Sequence, residues 1–211
     1  MSGSISTAPR HSIEWRSFLE WPADYAEPRR LAECFEGAIG EDACERMLRT
    51  QRLRSRLSAL LLDHYRLDAS MPEGEEVEEL DATIALSSAE QLEQTAFRAG
   101  AIYWSGSFAG SILGHTTAAL HEQLGEALCT FAMTHRDLAG PARPLDPLDG
   151  IRDRVFADGW RCIGAWCHAA PASVGRRVLL KLPPDDLVDR LPDAPFADTG
   201  AAIVRRAAGA A

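Results

Sequence analysis

The chain has 211 residues, 46% of them hydrophobic and 25% charged, which fits a globular domain able to bury a sizeable core. Its net charge of −9 argues against duplex nucleic acid as a partner, because binding to a duplex depends on a basic surface that neutralises phosphates. No segment reaches the ~18 uncharged apolar residues of a membrane span. The 5 cysteines are irregularly spaced and no apolar leader precedes them, so we expect a cytoplasmic protein with reduced thiols.

Apolar residues recur at helical spacing through most of the chain and rarely alternate, which predicts a mainly α fold in one compact multi-helix domain. We assign residues 1–12 to a disordered N-terminus, 13–191 to the helical domain and 192–211 to a flexible C-terminal tail. The few extended segments expected in this fold are minor.

The first half contains one clear amphipathic helix, predicted over 41–65, in which leucines recur on one face and arginines lie on the other. The periodicity then stops. Residues 68–86 include Pro72, Gly74 and a run of acidic residues, so we interpret them as an exposed acidic loop. Within that loop, 83–86 is a candidate for a short extended segment.

The second half contains a row of small residues with regularly placed glycines, which predicts close packing between helices. These glycines are Gly100, Gly106, Gly110 and Gly114. A phosphate-binding loop is a poor alternative, because it needs a preceding strand and a lysine after it. Further helices are predicted over 115–135, split at Gly125, and from residue 148 to the double proline at 183–184.

Cysteine and histidine offer the best candidates for a metal site, namely Cys162, Cys167 and His168. Their spacing does not fit structural zinc, since no second cysteine pair follows the first. On a helix, Cys162 and Cys167 would point about 140° apart. We interpret them as buried free thiols, and we expect no metal, no cofactor and no enzymatic activity.

Three segments give the chain a pattern similar to that of a known family. They are Trp21 to Leu31, the Leu-Gly-Glu helix within Leu120 to Ala132, and the R-x-x-L-K-L-P ending of the segment from Gly159 to Pro183. In these segments the chain resembles the K-type accessory protein of bacterial type III secretion systems, the SctK/YscK family.

The resemblance implies a non-catalytic adaptor recruited to the cytoplasmic face of the inner membrane. It would bridge the cytoplasmic domain of the inner-membrane ring protein to the Q-type sorting-platform protein, and so to the stator and the ATPase. Its partners would be proteins, with no nucleic acid and no direct membrane insertion. One alternative is a type III secretion chaperone or regulatory binding protein. Another is a small cytosolic enzyme that uses a Cys/His pair, in which Cys129 or Cys167 would act.

An adaptor needs two separate faces, and the charged residues of two predicted helices are the candidates. On the closing helix, a charged rim around an apolar centre would be formed by Arg176, Arg177 and Lys181. On the helix predicted over 41–65, the outward arginines are Arg52, Arg54 and Arg56. The acidic loop at 73–81 could provide the second face instead.

Overall fold

The computed structural model describes residues 13–71, 76–110 and 114–209, and in these ranges every regular element is helical. The prediction of a mainly α fold is therefore confirmed. The described α-helices are α1 (Ile13–Glu20), α2 (Pro28–Glu33), α3 (Glu41–Leu48), α4 (Arg54–His64), α5 (Glu79–Leu86), α6 (Ala89–Ala109), α7 (Gly114–Leu124), α8 (Glu126–Thr134), α9 (Ile151–Ala169), α10 (Ala172–Leu179), α11 (Asp186–Asp189) and α12 (Ala194–Ala208). The expected disordered N-terminus lies outside the described residues.

The chain forms two compact units. The first contains the described residues up to Ser88 together with Ala170–Pro184, and it holds α1 to α5 and α10. The second contains Ala89–Ala169 and the described residues from Asp185 onward, and it holds α6 to α9, α11 and α12.

The first unit is built from short helices around a cluster of apolar side chains. This cluster comprises Ala23, Ala26, Leu31, Cys44, Leu57 and Leu61. The start of α2 follows from its sequence. Pro28 occupies its first turn, where a missing N–H costs nothing, and the Glu27 carboxylate accepts a hydrogen bond of 2.8 Å from the backbone N–H of Arg29.

The prediction of a single helix over 41–65 is wrong, because this segment forms two helices, α3 and α4, that are separated by non-α-helical residues. Thr50 has an extended backbone with φ −91° and ψ 98°, and a short 3-10 turn at Gln51–Leu53 follows it. The Thr50 hydroxyl donates to the carbonyl oxygen of Arg46 at 2.8 Å. Such a local bond competes with continuation of the helix.

The predicted acidic loop is also shorter than expected, because Glu79–Leu86 forms α5 and 83–86 is not extended. Glu79 and Asp81 lie in its first turn, where negative charge interacts favourably with the helix dipole. Ala82, Ile84 and Ala85 are buried, so the tertiary packing supports this helix. Residues 72–75 of the expected loop lie outside the described residues.

The second unit is organised around α6 and α9, its two longest helices, which cross in backbone contact. A Cβ atom on Gly100 would lie 1.9 Å from the carbonyl oxygen of Val155, and one on Gly159 would lie 1.8 Å from that of Ala96. Only glycine permits this approach. The predicted close packing is therefore confirmed at Gly100, and the predicted split of the following helix is confirmed at Gly125, where φ is 90°.

The C-terminal segment differs from the flexible tail expected at 192–211, because Ala194–Ala208 forms α12. Its buried residues are Phe196, Gly200, Ile203, Val204 and Ala207. Their helical spacing places them on one face, which packs on α6 and α9. The ring of Phe196 stacks on Tyr103 with centroids 4.5 Å apart.

Candidate protein-interaction surfaces

Arg177 on α10 is fully buried, with 0% exposure. Its guanidinium donates to the carbonyl oxygen of Leu19 at 3.0 Å and to that of Ser173 at 2.6 Å, and it also donates to the carbonyl of Asp68. Burial lowers the pKa of Arg177, and the nearby Tyr25 and Asp68 oppose that shift. The side chain therefore links α10 to the end of α1 and to the segment after α4 by hydrogen bonds within the first unit.

Lys181, the only lysine in the chain, is 7% exposed. Its ammonium donates to the carbonyl oxygens of Ala85 at 2.6 Å and Ser87 at 2.7 Å, at the C-terminus of α5. It also lies 5.1 Å from the ring centroid of Phe18 and 5.3 Å from that of Tyr25. Burial lowers its pKa from the ordinary 10.5 to about 8. Both carbonyls would otherwise lack an intrahelical partner.

Arg30 on α2 makes a third contact of the same kind. Its Nε donates to the carbonyl oxygen of Leu182 at 2.9 Å and its Nη2 to that of Pro183 at 3.3 Å. The backbone N–H of Glu27 donates to the carbonyl of Leu180 at 2.8 Å. The opening and closing segments of the family pattern are thus joined side by side. We call Arg30, Arg177 and Lys181, with their carbonyl acceptors, the cation clasp.

The clasp corrects one expectation about the closing helix. Arg177 and Lys181 do not belong to an exposed charged rim, because both are buried and hydrogen-bonded to the main chain. Of the three candidates on that helix, Arg176 is exposed. The sequence did carry a signal: Arg177 follows Val174 at i+3 on the buried stripe of α10, and Lys181 continues that spacing two residues after the helix ends.

The arginines predicted on one outward face of a longer helix have different environments. Arg52 in the 3-10 turn and Arg56 on α4 are exposed. Arg54 instead forms an ion pair with Asp24, with Nε 2.6 Å from Oδ1, and its guanidinium lies 4.5 Å from the ring centroid of Trp21. Arg54 therefore already has partners in the first unit.

The second unit buries a carboxylate that sequence reasoning missed. Asp158 is 1% exposed. Its Oδ2 accepts hydrogen bonds from Trp104 Nε1 at 2.8 Å and Arg143 Nη1 at 2.6 Å, and its Oδ1 accepts one from Arg161. The backbone N–H of Arg143 also donates to the Ser107 hydroxyl at 2.8 Å, so the segment 140–147, which contains three prolines and precedes α9, is anchored here. We call this group the Asp158 network.

The cysteines are free thiols in protected surroundings. Cys162 and Cys167 are buried, as predicted, whereas His168 is exposed. Burial raises the pKa of the Cys162 thiol, and it raises the pKa of Cys34 to about 11. At neutral pH these two thiols are protonated, a form that is neither nucleophilic nor a metal ligand. Among the described residues, no group of three or more side chains is arranged to hold a metal ion.

The surface of the second unit includes the following two cavities. The larger, about 450 Å³, is lined by Glu90, Glu93, Gln94, Phe97, Arg152, Asp153 and Phe156. We call it the aromatic groove. The smaller, about 260 Å³, is lined by residues of α9, α11, α12 and the loop before α12. Neither lining includes a cysteine or a histidine.

The family model for YOP proteins translocation protein K (YscK) matches residues 14–199. The chain belongs to the YscK family. The match includes both segments that meet in the cation clasp, and it makes the protein a component of type III secretion, as the resemblance implied. No curated protein and no solved structure matches the chain. None of the helices in the described ranges has the length and apolar character needed to cross a membrane.

Proposed function

We propose that the protein is a non-catalytic adaptor of type III secretion. It bridges the cytoplasmic domain of the inner-membrane ring protein to the Q-type sorting-platform protein, and thereby to the stator and the ATPase. It acts in the cytoplasm, recruited to the cytoplasmic face of the inner membrane. The observation that carries the proposal is the YscK family match over residues 14–199.

The environments of the buried ionisable groups support a non-catalytic role. The cations of the clasp are held by main-chain carbonyls, and the Asp158 carboxylate is held by Trp104 and two arginines. A nucleophile needs a neighbouring base or a lowered pKa. The Cys34, Cys44, Cys129 and Cys162 thiols instead have raised pKa values because they are buried.

The alternatives gain no support from the described residues. A secretion chaperone would be expected to combine strands with helices, whereas the described elements are all helical. An enzyme based on a Cys/His pair would place that pair in a cavity, and neither of the two cavities described above contains one.

Exposed arginines of the first unit are the proposed contacts with one partner. With Arg177 and Lys181 committed to the clasp, the remaining exposed candidates are Arg52, Arg56 and Arg176. A charged residue on the rim of an interface affects the association rate and the choice of partner more than it affects the stability of the fold.

Partner capture by charge-reversed proteins tests this assignment. The variants are the pair R52E and R56E, and R176E alone, with R136E as a control at an exposed arginine of the second unit. We expect at least one of them to lose about tenfold in affinity for the ring-protein domain or the Q-type protein, and the control to lose none. Equal capture of both partners by all variants would contradict the arginine assignment. Failure of the unmodified chain to capture either partner would contradict the proposed function.

A further inference from the structure

Two half-buried rings line the aromatic groove, and a third ring next to the lining contacts one of them. Phe97 on α6 and Phe156 on α9 meet edge to face with centroids 6.0 Å apart, and Phe156 meets Trp160 in the same way at 5.8 Å. All three side chains are partly exposed. Aromatic side chains in this position provide a large apolar contact area at little cost in side-chain entropy, and they are enriched at protein interfaces.

Carboxylates follow the same helix faces as the rings. Glu90, Glu93 and Phe97 lie at i, i+3 and i+7 on α6, and Asp153 lies three residues before Phe156 on α9. The three carboxylates are exposed, and none of them forms an ion pair with any residue that the structure describes. The groove therefore combines an apolar floor with an acidic rim that is open to a cation from outside.

A cation from the chain itself shows how the groove holds positive charge. The guanidinium of Arg152 lies 4.5 Å from the ring centroid of Phe97, and its Nη1 donates to the carbonyl oxygen of Gln123 at 3.3 Å. Arginine over an aromatic ring is a favourable arrangement. No cation from the described part of the chain lies over Phe156 or Trp160, so those two rings remain for a ligand.

We infer that the aromatic groove binds a basic segment of a protein partner, in which Lys or Arg side chains flank an aliphatic residue. The aliphatic residue packs on Phe156 and Trp160, and the flanking cations meet Glu90, Glu93 and Asp153. An acidic segment is repelled by the same carboxylates. The inference rests on the proposed function, because the groove is one of the two partner faces that an adaptor needs.

Binding of designed helical peptides to the full chain tests the groove. The first peptide carries lysines beside a leucine stripe, the second replaces each lysine by glutamate, and the third replaces each leucine by serine. Fluorescence anisotropy of the labelled peptides reports affinity. We expect the first peptide to bind, the second not to bind, and the third to bind at least about tenfold more weakly than the first.

Two variants locate the site. The triple variant E90Q, E93Q and D153N removes the acidic rim, and F156L removes one ring while keeping an apolar side chain. We expect each to weaken binding of the lysine–leucine peptide by about tenfold or more, equivalent to ~1.4 kcal/mol. The matched control E122Q, E126Q and D198N removes three exposed carboxylates elsewhere in the second unit, and should bind like the unmodified chain.

Several outcomes would overturn the inference. The first is that the lysine–leucine peptide does not bind. The second is that the groove variants and the control variant bind it equally. The third is that the unmodified chain self-associates and the triple variant does not, since the groove would then hold a second copy. Partner capture separates this inference from the proposed function. If the unmodified chain captures the ring protein and the Q-type protein, and the triple variant captures both equally well, the groove assignment fails while the adaptor function stands.

Discussion

The two units differ in the charged groups that they bury. Among the described residues, the first unit buries the three cations of the clasp as well as the Asp81 carboxylate, whereas the second buries the Asp158 carboxylate. The short helices of the first unit explain its buried cations. The first unit consists of helices of 6 to 11 residues, so it has many helix ends and many carbonyls without an intrahelical partner. Its buried cations bind carbonyls at or just beyond such ends, including those of Leu19, Ala85 and Leu182. Positive charge is favourable there because it complements the helix dipole.

In the described part of the chain, the second unit holds six α-helices, as the first does, but two of them are much longer, because α6 has 21 residues and α9 has 19. It joins these long helices through glycines, and it buries a carboxylate that accepts hydrogen bonds from Trp104 and two arginines. The unit of short helices thus binds main-chain carbonyls with buried cations, whereas in the second unit two arginines that bind main-chain carbonyls, Arg152 and Arg154, are at least partly exposed. Four predictions test this contrast.

The largest expected effect is the loss of the buried guanidinium in the variant R177M. Four of its hydrogen bonds go to three carbonyls. Removing this donor from the carbonyls of Leu19 and Asp68 should lower the free energy of unfolding by about 4 kcal/mol. Equilibrium urea unfolding measures the loss, and hydrogen exchange should show it in α1 and α10. The control R176M changes the exposed neighbour and should stay within ~0.5 kcal/mol. An unchanged urea midpoint for R177M would show that the hydrogen bonds of Arg177 do not stabilise the first unit.

The variant D158N should have the next largest effect, and it should act on the other unit. The amide keeps the shape of the carboxylate but loses its charge toward Arg143 and Arg161, and its NH₂ group faces hydrogen-bond donors. We expect a loss of about 3 kcal/mol, with faster hydrogen exchange in α6 and α9. D198N, at an exposed position of α12, is the control. Faster hydrogen exchange in α1 and α10, and not in α6 and α9, would show that Asp158 does not stabilise the second unit specifically.

The variant G159A tests the glycine contact between α6 and α9. The added methyl would lie 1.8 Å from a backbone oxygen, so the two helices must separate. We expect a loss of about 2–3 kcal/mol in thermal or urea unfolding. G110A is the matched control, because the contacts of its Cβ within the described part of the chain are with backbone oxygens at 3.6 and 3.7 Å, an ordinary distance. Equal stability of the two variants would show that α6 and α9 can tolerate a methyl group between them.

The smallest effect concerns Lys181 and depends on pH. Its pKa falls from 10.5 to about 8 on folding, so the unfolded chain binds more proton between those values. The contribution of Lys181 to the free energy of unfolding therefore rises from about pH 8 to 10.5, and it is lost as the pH falls through 8. A neutral amine still has two N–H groups for its two carbonyl acceptors.

Comparison with K181M isolates the pH-dependent contribution of Lys181 to the free energy of unfolding, because the thiols and tyrosines titrate in both proteins. We expect the stability of the unmodified chain relative to K181M to increase by about 1–2 kcal/mol between pH 7.5 and 9.5. A difference that is constant or shrinks over this range would mean that the Lys181 amine is not desolvated.

Sequence alone predicted the features that depend on local pattern. The helical class, the split at Gly125 and the buried thiols of Cys162 and Cys167 all follow from spacing within one segment, and the structure confirms them. The family resemblance was also visible in short segments, and the family match confirms it.

Most of the features that were missed depend on distant residues. The helix α12 is stabilised by packing on α6 and α9, whereas the break at Thr50 involves a local hydrogen bond to the carbonyl of Arg46. From sequence, Arg177 is expected at the surface. Its burial depends on the carbonyls of Leu19 and Asp68, which are distant in sequence and accept its hydrogen bonds in the folded protein. The Asp158 network likewise joins three separate parts of the second unit. Arg177 and Asp158 share one sequence signal, which is a charged residue at a position where the helical spacing predicts a buried side chain.

Amine labelling of Lys181 is the most direct test of the clasp. As the only lysine, it gives one assignable peptide in mass spectrometry. Its lowered pKa would by itself speed reaction with an amine-directed reagent, because the neutral form is the nucleophile. We expect the effect of burial to be the larger one, so that Lys181 labels far more slowly in the native protein than in the denatured protein at the same pH. Labelling of the native protein as fast as that of the denatured chain would contradict the clasp and return Lys181 to the exposed surface.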